Sequence, residues 1–235
     1  MADQNDTLQQ LNELVSAALV AGADAADAVD INSIALSHAQ RLGKVEKVER
    51  AESRDVGLRV FIGNKQAIAS STNPSATILA ELVERAIAMA KSVPDDTHCG
   101  LADVEEILNG DIPDLDIADP DEPSTEILAM RASDCEAAAR SVLGVSNSEG
   151  AEASWSSSEV AITASNGFTG SYRSTGHAFG VAVLAGEGTG MERDYESTSA
   201  TYGIDLETPE FVGQTAGKRV VARLKPRKVE TQQSP

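Results

Sequence analysis

Aromatic side chains are scarce in this sequence, with one Trp, three Tyr and four Phe among 235 residues. A core must therefore be filled by Ala, Val, Ile and Leu. Cysteine is scarcer still, and Cys99 and Cys135 cannot make the disulfide framework of a small secreted protein. Long hydrophobic runs are missing: the longest, such as that from Val181 to Ala185, is five residues, against the ~20 of a membrane-spanning helix. The opening Met-Ala-Asp-Gln-Asn-Asp is acidic and polar, and the first basic residue is Arg41, which is unlike a secretory signal. Positive charge is short as well. Nineteen Lys and Arg face 37 Asp and Glu, a net −18, which argues against nucleic acid and anionic membrane as partners. The expectation is an acidic, soluble, cytoplasmic chain.

What is present is enough for one large domain or two small ones, burying about 70% of the unfolded surface without a metal or disulfide. Leu8, Leu11, Leu14, Val15 and Ala18 recur at helical spacing before Gly22. Ala28 to His38 reads as an imperfectly alternating strand. Val56, Leu58, Val60 and Ile62 alternate strictly, and Gly63-Asn64 then predicts a hairpin turn into 66–70. A helix opens at Pro74-Ser75, buries Ile78, Leu79, Leu82, Val83, Ile87 and Ala90, and ends at Pro94.

Between residues 95 and 126 there are 12 acids and no Lys or Arg, with Pro113, Pro120 and Pro123 interrupting any helix. This predicts an extended linker, tacked down by Leu108, Ile112, Leu115 and Ile117. A second unit then repeats the layout. A helix over 124–143 turns Ile127, Leu128, Ala132, Cys135, Ala139 and Val142 inward. Strands follow over 151–155, 160–164, 168–184 (bent at Gly176 or Gly180) and 191–202, with turns at Asn166-Gly167 and 186–190. A last helix has Thr208 as N-cap and Pro209 at its first position, and carries Phe211, Val212, Ala216, Val220 and Leu224. The predicted fold is α+β: two units of helix, antiparallel strands, helix, joined by an acidic linker. The expected domains are 1–94 and 124–235, with the Pro-containing linker at 95–123. Six of the 19 basic residues crowd between Lys218 and Lys228, a cluster expected to dock against a further domain, and residues 229–235 read as a frayed tail.

No chemistry is legible in the motifs. His38, His98 and His177 are isolated, so no zinc-hydrolase spacing exists. Asp114, Asp116, Asp119 and Asp121 lack the glycine of a calcium loop and are broken by Pro120. The stretch from Gly213 to Lys218 has three residues between its glycines where a phosphate loop needs four, and no hydroxyl follows Lys218. The glycines from Gly186 to Gly190 lack dinucleotide spacing and join two strands. The serines around Trp155 make no nucleophile elbow. Cys99 and Cys135 have no legible His partner, and Cys135 sits on an apolar stripe. Arg193-Asp194-Tyr195 is expected to hold a structural ion pair. No catalytic, cofactor-binding or metal-binding residue is therefore assigned.

Several stretches carry a resemblance: VGLRVFIGNKQAIASSTNPS at 56–75, GLADVEEILNGDIPDLDIADP at 100–120, MERDYESTSA at 191–200 and LETPEFVGQTAGKRVVARLKPRKVETQQSP at 206–235. The sequence resembles the TldD/PmbA metallopeptidase family over its amino-terminal and central domains, on the PmbA (TldE) side through MERDY and TPEFVG. The resemblance implies a cytoplasmic peptidase complex of TldD-type and PmbA-type subunits that acts on small or unfolded polypeptides, with an older name as modulator of DNA gyrase. It implies that zinc is held by a third, carboxy-terminal domain or by a TldD-type partner, since none of the family's ligands falls on a residue here. The expected role is thus non-catalytic: assembly with a TldD-type subunit or as a homodimer, and binding of unfolded peptide. A freestanding peptide-binding module is the alternative.

Overall fold

A computed structural model describes residues 4–108, 110, 112–227, 231 and 233. Lys228 and most of the expected tail (229, 230, 232, 234 and 235) lie outside the described residues. Four long helices and six strands follow in the order α1 (Gln4–Val20), β1 (Ala25–Arg41), β2 (Lys44–Ile62), β3 (Lys65–Ser71), α2 (Ala76–Ser92), α3 (Thr125–Arg140), β4 (Val145–Ala164), β5 (Thr169–Ala185), β6 (Glu192–Ala200) and α4 (Pro209–Arg223). The strands form one sheet in the order β3-β2-β1-β4-β5-β6, and the α+β expectation holds. Contacts divide the chain into two compact units, and β1, β2, β4 and β5 each contribute residues to both.

The first unit comprises residues up to Ile34, Glu52–Ile117 and Ser157–Ser174. Its core is aliphatic, as the shortage of aromatics requires. Leu11, Leu14, Val15 and Ala18 of α1 and Leu79, Leu82, Val83, Ala86, Ile87 and Ala90 of α2 bury against Val56, Leu58 and Val60 of β2 and Ala67 and Ala69 of β3. Each fully buried Leu or Val contributes about 2 kcal/mol. Ile78, expected in this stripe, is only half-buried. The Gly63-Asn64 hairpin is present: β2 and β3 pair antiparallel, from Val56 with Ser71 to Ile62 with Lys65, and Gly63 has the positive φ (55°) that the turn demands. Asp30, almost fully buried on β1, is held by a two-pronged contact from the Arg54 guanidinium, with Nε at 2.9 Å and Nη2 at 2.7 Å from Oδ2.

The second unit comprises Ala35–Ala51, Ala118–Ser156 and the residues from Thr175 onward. Here α3 and α4 lie side by side. Gly213 and Gly217 let them approach so closely that a Cβ on Gly213 would sit 2.3 Å from the Cys135 carbonyl oxygen, and one on Gly217 2.8 Å from that of Ala139. This explains the glycine spacing that mimics a phosphate loop: it is a helix-packing seam. Ser124 and Thr208 cap α3 and α4, accepting from the Ile127 and Phe211 amides, and Pro209 opens α4 as expected.

Several expectations are corrected. Ile127 and Phe211 point to solvent, at 39% and 55% exposure, while Glu136 takes an inward place on α3. Residues 151–164 belong to one continuous strand that begins at Val145. Residues 44–55 are strand too, although their charged side chains hide it. Two members of the basic cluster already have partners on β6: Arg219 pairs with Glu196 at 2.7 Å and Arg223 with Asp194 at 2.5 Å. The expected ion pair of Arg193-Asp194-Tyr195 is therefore present, with Arg193 reaching Glu149 instead. The acidic stretch carries no helix or strand among its described residues before α3, and Ile112 tacks it onto Gly170 in the first unit.

Candidate functional site

Alternation along β5 sorts the second unit's side chains. His177, Phe179, Val181, Val183 and Ala185 are buried on the helix side, while Gly176, Ala178, Gly180 and Ala182 face the other way. Antiparallel pairing of β5 with β6 sets Ala178 beside Ser199, Gly180 beside Ser197 and Ala182 beside Tyr195. Ser154 and Ser156 of β4 and Thr175 and Thr201 complete a hydroxyl-lined groove of about 440 Å³, open to solvent. Next to the groove, the strand pairing itself requires a glycine. A Cβ at Gly180 would sit 2.8 Å from the Glu196 carbonyl oxygen and from the Ser197 Cβ, so β6 rides directly against the β5 backbone. Such a floor lets an extended chain approach the sheet and offers hydroxyls as partners.

Behind this groove lies a polar knot. Asp119 and His177 are both buried, and His177 Nε2 stands 3.1 Å from Asp119 Oδ2 without an aligned hydrogen bond. Asp119 accepts from the backbone amides of Gly203 (2.9 Å) and Asp121 (2.9 Å), and its own amide donates to Thr175 Oγ1 at 2.7 Å. The Gly203 and Asp121 amides, with His177 behind them, hold the Asp119 carboxyl below the usual carboxylate range. Burial depresses His177, Asp119 opposes that, and the Arg131 guanidinium adds to it, so His177 is held below an ordinary histidine and is neutral at pH 7. Gly203 closes the knot: a Cβ there would sit 3.1 Å from both Arg131 Nη2 and the His177 ring. The arrangement clasps the end of the acidic stretch to β5 rather than presenting a reactive group.

Glu136 is a second buried carboxylate. It accepts from Ser148 Oγ (2.6 Å), the amides of Leu42 (2.7 Å) and Gly43 (3.0 Å), and Gln40 Nε2 (3.1 Å). Burial alone would raise its pKa; these donors together lower it. It pins the β1–β2 turn, where Leu42 and Gly43 both have positive φ (51° and 72°), onto α3.

The sequence-derived donors do not converge. His38 is buried on β1, with Nε2 lacking a partner among the described residues, and His98 is exposed in a loop. Asp114 makes a local turn by accepting the Asp116 amide. Cys135 is fully buried, and burial pushes its thiol up to about 12, so it is inert as a nucleophile. Among the described residues, no group of three or more His, Cys, Asp or Glu is placed to hold a metal. The His177–Asp119 contact has the Arg131 cation beside it, a donor set that does not fit a divalent ion. Sequence reasoning weighed Asp119 only as part of a calcium-type spacing, and missed Glu136 and the role of His177. Only His177 carried a signal, as a polar residue in an inward slot of an alternating strand.

Fold and groove define an α+β protein whose central sheet is backed by helices and left open on the β4–β5–β6 face of the second unit. Residues 118–224 match the family description PmbA/TldA metallopeptidase central domain, and residues 33–90 match PmbA/TldA metallopeptidase domain 1. The chain belongs to the PmbA/TldD metallopeptidase family. It is 34% identical over 96% of its length to metalloprotease PmbA of Escherichia coli O157:H7, and 32% identical over 100% to a PmbA homologue of Haemophilus influenzae. It spans about half the length of these relatives, 51% and 52%. Among solved structures it is similar to a candidate modulator of DNA gyrase from Bacteroides thetaiotaomicron, with TM-score 0.83 and 23% identity over 97% of this chain and 52% of that one. TldE from Thermococcus kodakarensis is also similar, with TM-score 0.74 and 14% identity over 90% of this chain and 47% of that one. Both support the fold.

Proposed function

We propose that this chain serves a PmbA-type metalloprotease subunit as its amino-terminal and central, non-catalytic region. It contributes to proteolysis of small or unfolded polypeptides in the cytoplasm by assembling with a TldD-type subunit and holding extended substrate. The zinc and the residues that ligate it come from outside these two domains. No helix among the described residues is long and apolar enough to cross a membrane. The observation that carries the reading is the open groove, with its floor of Gly176 and Ala178 and its rim of Ser and Thr hydroxyls. An extended peptide laid along such a face needs close backbone approach and hydrogen-bond partners, and both are available.

Fluorescence anisotropy of a labelled, permanently unfolded polypeptide tests this. Binding is expected to weaken at least tenfold in Ala178→Arg, whose side chain fills the groove, with the thermal midpoint unchanged. Equal binding by the variant would remove the groove from the reading. The same face would serve a freestanding peptide-binding module. That alternative predicts binding that is indifferent to an added TldD-type subunit, whereas the proposed role predicts co-elution with that subunit and zinc-dependent cleavage only in its presence.

A further inference from the structure

The first unit holds a cleft that shares no lining residue with the groove. Alternation puts every second residue of a strand on one face. On β1 the residues facing the core are Ala26 and Ala28, then Asp30 and Asn32; on β2, Val60, Leu58 and Val56, then Arg54; on β4, Ala161, then Glu159. Each series thus turns from aliphatic to polar on leaving the core. The polar ends are not spread over an open surface. With Thr7 of α1 and Ser171 of β5 they line a cleft of about 80 Å³, in which Asp30 is buried and the others are half-buried.

The hydrogen bonds inside the cleft are incomplete. Arg54 gives Nε and Nη2 to Asp30, and Nη2 also to Gln10 Oε1 at 3.3 Å, so the Asp30–Arg54 charges cancel. Nη1 has no hydrogen bond or ion pair among the described residues, and neither have the side chains of Thr7, Asn32, Glu159 and Ser171. The order of these groups across the sheet follows the strands. β2 and β4 flank β1, and β5 lies beyond β4. A guanidinium donor therefore enters from one side, a carboxylate and a hydroxyl from the other, and the Asn32 amide stands between. The lining carries one net negative charge, that of Glu159.

We infer that this cleft binds a free, small α-amino acid, with the ammonium held by Glu159, Asn32 and Ser171 and the carboxylate by Arg54 Nη1 and Thr7. An ammonium has three N–H donors and no acceptor, and a carboxylate only accepts. The cleft offers acceptors on one side and donors on the other. The unbalanced Glu159 favours the ammonium and repels a bare anion. A lone cation, in turn, leaves the Arg54 donors without a partner. The cleft has the liquid volume of about three waters, room for glycine or alanine and too little for an aromatic side chain. Small amino acids are also what peptide hydrolysis leaves. The inference does not depend on the groove and survives if the groove proves idle.

Two-dimensional amide NMR of the isotope-labelled 235-residue chain tests this. Glycine and L-alanine at millimolar concentrations are expected to give saturable shifts at Asp30, Asn32, Glu159 and Ser171. Methylamine, which lacks the carboxylate, and acetate, which lacks the ammonium, should each bind at least tenfold more weakly, and L-phenylalanine should not bind. Glu159→Gln gives up no partner among the described residues, so its thermal midpoint should hold while glycine binding weakens at least tenfold. Asn32→Leu, which fills the cleft, should abolish binding; if it fails to fold, Glu159→Gln alone decides. No saturable shift with glycine or alanine would overturn the inference and leave the cleft to water. So would glycine binding unchanged in Glu159→Gln, or methylamine binding as tightly as glycine. Glycylglycine binding as tightly as glycine would also overturn it, by assigning the cleft to peptide ends rather than free amino acids.

Discussion

Glu136 shows how much one side chain can carry. Its carboxylate satisfies two backbone amides in a turn of positive φ, a serine and a glutamine. Removing it strands the buried Ser148 and Gln40 side chains and unpins the turn, so Glu136→Ala is expected to cost about 3 kcal/mol, read as a drop in the urea midpoint at pH 7. Its pKa is lower in the folded protein than in the unfolded chain. Its contribution is therefore present above the ordinary carboxylate value and disappears as pH falls through the folded one. Glu136→Gln should flatten the stability profile in that acid window. His177 acts with a different origin and the same sign. Folding lowers its pKa below 6.5, so in the window below that value the unfolded chain binds the extra proton and stability falls with pH. His177→Gln should remove this loss as pH falls below the ordinary histidine value, whatever it costs at pH 7.

At the scale of elements, the α3–α4 seam makes the sharpest statement. Gly217→Ala would gain about 1 kcal/mol of helix propensity. It also drives a methyl to within 2.6 Å of Val142 and 2.8 Å of a carbonyl oxygen, and overpacking of this kind costs about 1–3 kcal/mol. A net loss in midpoint is expected, larger for Gly217→Val; a gain would mean the helices can slide apart freely. This seam also marks where reading from sequence reaches its limit. Helix ends at Ser124, Thr208 and Pro209, and the Gly63-Asn64 turn, were legible because caps and turns are local chemistry. The aliphatic stripes of α1 and α2 were legible because their period survives in the core. Residues 44–55 were not, since an edge strand exposed on both faces has no apolar alternation to betray it. Neither was the Asp119–His177 knot, whose members are 58 positions apart in sequence and meet only when β5 and the acidic stretch are folded. The paired glycines at 213 and 217 suggested a failed phosphate loop because spacing alone cannot tell a cradle from a helix contact.

For the whole molecule, the governing quantity is the excess of 37 acids over 19 bases. The ion pairs seen at Arg193, Arg219 and Arg223 involve guanidinium side chains more than half exposed, and such pairs contribute at most about 1 kcal/mol each. Repulsion acts among all the remaining carboxylates at once, most densely where 12 acids fall between residues 95 and 126 without a base. Self-repulsion penalises the compact state and is screened once the Debye length falls to about 10 Å at 0.1 M salt. The thermal midpoint at pH 7.5 is therefore expected to rise as NaCl increases from a few millimolar to about 0.3 M, by several degrees. Were the visible pairs dominant, salt would weaken them and the midpoint would fall. The two accounts separate again near the isoelectric point, about 4.4. There the net repulsion vanishes, so the salt-induced rise must vanish with it, whereas a generic salt effect on apolar burial would persist at both pH values. Differential scanning calorimetry at low and high salt, at pH 7.5 and again at the isoelectric point, distinguishes these outcomes in one experiment.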